Sequence, residues 1–380
     1  MAAARLTVEA VEGARAHKAF WKLPWDLYRT DPNWVAPLVG DERKRWDEER
    51  NPSLRARWHR RFLAFRDGRV VGRIAASTDP RFQALWEPRT GFFGFFECAD
   101  DPDAARALVA AAAGALRERG LDLALGPVNL SMHDESGILV HGFDTPPKLL
   151  SPYNPPYTAA LLEGAGCTPR LDFASYLWTP ARQLQPAVER MLEPGRDPDA
   201  GAERARVRCL DLSRFEDECR LLLALYNDSF RSLWGFVPME WDEFRARAEA
   251  FRPFVRRELV LVLEVDGRPE GFCLLLPDIN AALRPLRGRL WPLGWLRLMR
   301  AVPRLDTARL LLLGVRPSLR GRGHAVRLAL AIDEAARACR LREVELSVVQ
   351  SSNAPMRHIV AAFGSPLYKS YRLYERRCDD

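Results

Sequence analysis

Histidine is scarce in this chain, with 6 among 380 residues, and the 7 cysteines are odd in number and form no CxxC pair. Neither a metal-ligand cluster nor a disulfide framework fits that usage, so no metal is expected and a reducing cytosol suits the chain best. Long apolar runs are missing too. The opening MAAARLTVEAVEGARAHKAF has no signal-peptide core, and no segment is long enough to span a bilayer. The expected location is cytoplasmic, or peripheral on the inner membrane face. Recognised nucleic-acid motifs are also lacking, so the net charge of +7 reflects a local basic segment, and no nucleic-acid partner is expected. What is present, 47% hydrophobic residues over 380 positions, can fill the cores of two or three domains.

The most informative stretch runs from Gly314 to Leu328, GVRPSLRGRGHAVRL. An apolar strand, Leu310 to Leu313, ends in a turn rich in glycine and arginine. Ala325, Leu328, Ile332, Ala335 and Cys339 then recur at spacings of three and four, which predicts a helix over 324–340. Strand, turn and helix in that order aim the backbone N–H groups of Arg320 to Ala325 outward from a helix N-terminus, where the dipole and two arginines favour an anion such as a pyrophosphate. A nucleotide P-loop would need Gly-Lys-Ser/Thr where Gly323-His324-Ala325 stands, and is excluded. A dinucleotide fingerprint would need glycine at Val326, although Glu345 lies where a ribose-binding acid could; that reading and a plain solvated turn stay open as alternatives.

The order of elements repeats. Arg61 to Phe65, a turn at Asp67-Gly68, Val70 to Ala75, the strand Gly91 to Glu97, a helix over 103–119 and the strand Leu121 to Leu125 form one series. Leu259 to Val265, a turn at Asp266-Gly267, Gly271 to Leu276, Arg309 to Val315, the loop, its helix and Val344 to Val349 form the other. Two copies of one α/β unit explain the length. The copies differ at the turn. Where the second has glycine and arginine, the first has Asp100, Asp101 and Asp103, which suit a helix N-terminus as caps but repel a pyrophosphate. The stretch Thr179 to Arg206, rich in proline and charge, reads as a linker.

Arg320-Gly321-Arg322-Gly323-His324-Ala325 resembles the acyl-CoA pyrophosphate loop, (Gln/Arg)-x-x-Gly-x-(Gly/Ala), of the GNAT superfamily of N-acyltransferases. Val315-Arg316-Pro317 before it and SSNAPM, Ser351 to Met356, after it resemble the flanking elements. The resemblance implies an α/β fold of two tandem GNAT-like domains, each a mixed central sheet flanked by helices. It divides the chain into a degenerate, acceptor-side domain over 1–180, a linker over 181–206 and an acyl-CoA-binding domain over 207–380. Acetyl-CoA or a longer acyl-CoA is the implied co-substrate, held by Leu313, Val315, Arg320, Gly321, Arg322, Gly323, His324, Ala325 and Asn353. An amine, small molecule or lipid, is the implied acceptor.

The stretches GPVNLSMHDESG, Gly126 to Gly137, and SPYNPPY, Ser151 to Tyr157, resemble a bacterial tandem subgroup, some of whose members N-acylate long-chain amino alcohols as bacterial ceramide synthases do. That implies acceptor contacts from Asn129, Tyr153, Asn154 and Tyr157. An amine must lose a proton, an oxyanion must be held and a thiolate must be protonated. A bulge at Gly314 is expected to free oxyanion donors near Leu313 to Val315. The strand lacks the family's usual glutamate and its tyrosine position holds Val360, so His133, Asp134, Glu135, Glu345 and Tyr374 become the catalytic candidates, with Tyr368, Tyr371 and His358 behind them. A soluble acetyltransferase of small-molecule or protein amines and a non-catalytic acyl-CoA sensor remain alternatives.

Ala281 to Leu305, AALRPLRGRLWPLGWLRLMRAVPRL, contains no acid. A helix over 291–302 would put Trp291, Trp295, Leu298 and Val302 on one stripe and turn Arg297, Arg300 and Arg304 away from it. Peripheral membrane contact through 281–305 and internal packing of the helix are both compatible with that pattern.

Overall fold

A computed structural model describes residues 5–180 and 204–379, and within them the chain forms two compact units. One comprises Met1–Asp172, Leu286–Leu290 and Lys369–Asp380; the other comprises Phe173–Pro285 and Trp291–Tyr368. Most of the expected linker, 181–203, lies outside the described residues.

The first unit begins with β1 (Leu6–Ala10), the helix Gly13–Leu27, and antiparallel β2 (His59–Arg66), β3 (Arg69–Ser77) and β4 (Thr90–Cys98). Asp67 and Gly68 make the β2–β3 turn at φ +50° and +76°, the left-handed pair that a tight two-residue hairpin demands. The helix Pro102–Arg117 buries Ala105, Leu108, Ala112 and Leu116 against the sheet, as their spacing predicts, and returns the chain to β5 (Leu123–Gly126), parallel to β4. β6 (Ile138–His141) and the helix Thr158–Gly164 follow. The strand that completes this sheet, Leu367–Arg377, arrives from the far end of the sequence: Tyr374–Arg377 pair with β5 and Ser370–Arg372 with β6.

The second unit repeats the plan. It holds part of β7 (Thr168–Trp178), then β8 (Ala205–Cys209), β9 (Val260–Val265), β10 (Arg268–Pro277), β11 (Thr307–Val315) and β12 (Glu343–Gln350). β8 to β11 are antiparallel, β11 and β12 are parallel, and Phe173–Trp178 of β7 close the far side of β12. The β9–β10 turn, Asp266-Gly267, has the same φ values, +50° and +76°. Leu328, Ile332 and Ala336 of the helix His324–Ala338 pack on Leu261, Leu263 and Leu275; burial of one such leucine contributes roughly 1.5–3 kcal/mol.

Two expectations are corrected here. A division at 1–180 and 207–380 misplaces both closing strands, because Phe173–Trp178 belong to the second unit and Lys369–Arg377 of the last strand, β13 (Leu367–Arg377), to the first. In the basic segment the helix is Gly294–Ala301, shorter than 291–302. Its expected stripe is split, with Leu298 and Val302 buried and Trp291 and Trp295 exposed. Among the described residues, no helix is long and apolar enough to cross a membrane.

Candidate functional site

β11 and β12 start as parallel partners, Thr307 to Leu310 registered on Glu343 to Leu346. Past Leu310 the pairing stops, although the strands run on to Val315 and Gln350. The cause lies on the other edge of β11. Leu274 of β10 pairs with Leu312 and Leu275 with Leu310, so Leu311 is an extra residue, and a bulge of this kind bends its strand and frees ladder groups. A cleft of about 1100 Å³ opens at this place, walled by Leu310–Val315, Leu346–Gln350 and, from the helix Ala354–Ala362, Met356, Ile359 and Val360.

The bulge therefore sits at Leu311 and not at Gly314, which pairs regularly with Phe272. Glycine is needed at 314 for a different reason: a Cβ there would come within 2.8 Å of Ser229 Cβ and 3.0 Å of Phe272 Cε1. Close approach of the helix Phe215–Phe230 brings Ser229, Ser232, Leu233 and Trp234 to the cleft wall. Sequence reasoning missed these four. The available signal was a lone glycine among leucines, which marks a backbone approached closely by another element.

At the mouth, a short 3-10 turn over Pro317–Leu319 leads into Gly321 and Gly323 at φ +81° and +79°. Left-handed backbone at both positions favours glycine. The helix His324–Ala338 then starts with no side chain capping its N-terminus, which leaves first-turn N–H groups and the positive end of the dipole to a ligand. Arg320 donates to Ser232 Oγ at 3.1 Å and to the Ser229 carbonyl, while Arg316 reaches Asp228 at 3.1 Å and Glu270 at 3.6 Å. Arg322 is exposed beside them. Backbone donors and guanidinium groups on one loop suit an anion of more than one charge.

All nine residues expected to hold the co-substrate line this cleft: Leu313, Val315, the six from Arg320 to Ala325, and Asn353, which also caps the helix Ala354–Ala362 through Met356 N–H. None of the five catalytic candidates does. Glu345, one of the five, stands away from the cleft lining. It is fully buried, 3.7 Å from Arg309, and it is Ser347, which accepts from Arg309 Nε, that lines the cleft. Tyr374 is buried in the first unit with its hydroxyl on Glu163 Oε1 at 3.0 Å, and burial pushes that phenol up to about 12.

The acceptor-side candidates also belong to the first unit, and their polar groups are engaged within it. Asn129 Nδ2 donates to Glu135 Oε2 at 3.0 Å, and Ser131 Oγ to Asp134 Oδ2 at 2.7 Å, while the His133 N–H reaches Ser131 Oγ. Tyr153 donates to Asp31 and Tyr157 to the Cys98 carbonyl. Asn154 clamps both the N–H and the carbonyl of Leu139.

Comparison with known proteins shows the family of the chain. The acetyltransferase (GNAT) family matches residues 220–364. Bacterial ceramide synthase of Caulobacter vibrioides is 34% identical over 380 residues, which covers 98% of each chain. The chain belongs to the GNAT family. Protein YghO of Escherichia coli is 32% identical over 368 residues, 95% of this chain and 92% of that one. Two solved structures share the fold. A tandem GNAT protein from the clavulanic acid biosynthesis pathway gives a TM-score of 0.52 at 15% identity, covering 98% of this chain and 99% of that one. A GCN5-related N-acetyltransferase from Sphaerobacter thermophilus gives 0.51 at 14%, covering 98% and 96%. This GNAT protein is an acyl-CoA-dependent N-acyltransferase built of two tandem units.

Among the described residues, the gap of the second unit stays open and that of the first does not. In the first, β4 and β5 pair at Thr90–Phe92 with Leu123–Leu125 and then part. The β3–β4 register slips between Arg73 and Ala75, and Phe95 stands at φ +51°. Here the gap is filled by the unit's own chain. Val128 N–H donates to the Phe93 carbonyl at 2.7 Å, and Asn129 Oδ1 accepts the Phe95 N–H at 2.7 Å. A Cβ on Gly94 would lie 2.0 Å from the Val128 carbonyl oxygen. At the helix Pro102–Arg117, Asp101 caps the Ala104 N–H and takes a bidentate pair from Arg66 at 2.7 and 2.9 Å.

Proposed function

We propose that the chain transfers a long acyl group from acyl-CoA to the amino group of a long-chain amino alcohol presented by a membrane. The observation that carries this reading is the cleft's lining. Beyond the anion loop its walls are Leu310–Leu313, Leu346, Val348, Val349, Met356, Ile359 and Phe363, with Phe230 and Trp234 across from them, far more apolar surface than an acetyl group would cover. The name of the Caulobacter relative, matched along 98% of its length, supports a lipid amine as acceptor.

In this reading the pyrophosphate rests on the N–H groups of Gly321 to Ala325 with Arg320 and Arg322 beside it. The amide-bearing arm lies along the unpaired edge of Leu311 to Val315, and an N–H freed at the Leu311 bulge holds the oxyanion. The amine nitrogen bonds to the thioester carbonyl carbon, the C–S bond breaks, and CoA leaves as the thiol. No carboxylate is among the described residues lining the cleft, so the ammonium proton goes to water. Ser347, whose Oγ accepts from Arg309, passes its own O–H proton to the departing sulfur and is reprotonated, through water, by the second proton that the nitrogen loses as the amide forms.

The test is a chain-length series with purified protein: acetyl-, octanoyl- and palmitoyl-CoA, each with a detergent-dispersed long-chain amino alcohol, followed by thiol release and by mass of the amide. Palmitoyl transfer should exceed acetyl transfer by at least about tenfold. Ser347→Ala should lower kcat about tenfold with CoA affinity unchanged. Preference for acetyl-CoA with small soluble amines would overturn the lipid reading, CoA binding without turnover of any amine would make the chain a sensor, and unchanged kcat in Ser347→Ala would remove the serine from the chemistry.

A further inference from the structure

The segment from Trp291 to Arg304 contributes nothing to the cleft lining. Trp291 is 86% exposed and Trp295 52%, and Leu293 and Met299 are exposed as well. Four large apolar side chains together in water are costly, and such patches mark interaction sites. They are held firmly in place. Leu298 and Val302 of the same segment are buried, and Arg256 donates to the Val302 and Leu305 carbonyls at 3.0 and 3.2 Å, fixing the end of the helix Gly294–Ala301. Arg297, Arg300 and Arg304 are exposed along it, and no acid occurs between Ala281 and Leu305.

We infer that this segment docks on an anionic lipid bilayer, with Trp291, Leu293, Trp295 and Met299 in the headgroup boundary and the three arginines on lipid phosphates. Tryptophan rings settle at that depth, and unopposed arginines are drawn to the negative surface. Charge argues against the nearest rival, a second copy of the chain. An isologous contact would bring one arginine-rich segment with no acid of its own against another. Nucleic acid would draw the arginines but leave Leu293 and Met299 without an apolar partner. The inference rests on the lipid-amine reading for its purpose, since a membrane-docked enzyme reaches an acceptor that does not leave the bilayer.

The experiment is co-sedimentation of the full chain with phosphatidylglycerol-containing vesicles and with phosphatidylcholine vesicles, at low and high salt. Binding should be strongest to the anionic vesicles and fall at least about tenfold in high salt. Trp291→Ser with Trp295→Ser, and separately Arg297→Gln with Arg300→Gln and Arg304→Gln, should each weaken vesicle binding at least about tenfold. CoA affinity by calorimetry should match the parent in both variants, which shows that they fold. The inference is overturned if the parent does not sediment with anionic vesicles, if both variants bind like the parent, if the Trp changes convert a dimer to monomers in sedimentation velocity, or if the parent is retained on DNA and not on vesicles. Acylation of the detergent-dispersed amine by the parent, run in parallel, separates the two claims: a parent that forms the amide but binds no vesicles refutes docking alone, and a parent that binds vesicles but forms no amide refutes the acceptor.

Discussion

Between β11 and β12 the second unit leaves a gap where its parallel strands part, while at the matching place between β4 and β5 the first unit inserts Val128 to Leu130. Each feature the second unit offers to a ligand has an internal counterpart in the first. Asn129 carries a carboxamide oxygen to the Phe95 N–H, much as a thioester oxygen would meet the amide of a bulge. Asp101 brings its carboxylate to a helix N-terminus and to Arg66, as a phosphate would. The first unit satisfies its parted strands and its helix N-terminus with its own side chains.

The largest expected effect tests this asymmetry at the two helix N-termini. Arg322→Glu or Gly323→Val should weaken CoA binding by about a hundredfold, through repulsion of the pyrophosphate or through strain at a left-handed backbone position. Asp101→Ala should leave CoA affinity within about twofold while costing about 1 kcal/mol of stability as a lost cap. Equal losses of CoA affinity in calorimetry at both termini would break the comparison.

A smaller effect is expected where the filled gap is pinned. Asn129→Ala leaves the Phe95 N–H without its acceptor and Glu135 without its donor, and should destabilise the protein by about 2–3 kcal/mol in a denaturant titration. The CoA stoichiometry should stay at one per chain. A second equivalent bound by the variant would show that the first unit is plugged and not remodelled.

The smallest effect is electrostatic. Burial raises the Glu97 carboxyl from its ordinary 4.5 to about 7, opposed by Arg73 and the Tyr28 hydroxyl and helped by Glu135 and Glu42. Between those values the folded chain holds a proton that the unfolded chain has released, so stability falls as pH rises from 4.5 to about 7. The expected loss is on the order of 1 kcal/mol, read as a melting temperature that drops a few degrees across that window. Glu97→Gln should flatten the profile. A parent profile already flat would mean that Glu97 stays ionised against Arg73.

Much of the unit that carries the cleft was legible because its signals are local. Alternation, the Asp-Gly turns, the 324–338 helix stripe and the glycine-arginine loop all lie within a few residues of one another, and the acidic turn at Asp100 to Asp103 already marked the first copy as different. What escaped depends on contacts across long separations. Nothing near Phe173 signals that it pairs with Gln350, nor does anything near Tyr374 signal Gly126. A bulge is a mismatch between two strands, so β11 alone could not place it at Leu311. Glu345 and Ser347, two apart on β12, would share a face of a regular strand, but the register of β12 on β7 slips between Leu346 and Val349, and Ser347 lines the cleft while Glu345 is buried.

The exchange of closing strands bears on how the protein is made. β13 follows the whole second unit in the chain, so a ribosome releases the first unit's closing strand only after all the strands of the second have emerged. Until then β5 and β6 present an uncovered edge, the kind of surface that nascent chains must shield from one another. The second unit, in contrast, has β7 ready before its own β8 is synthesised. A fragment cut at the linker would lack β7 in one half and β13 in the other, which makes the two units inseparable by simple truncation although each has its own core.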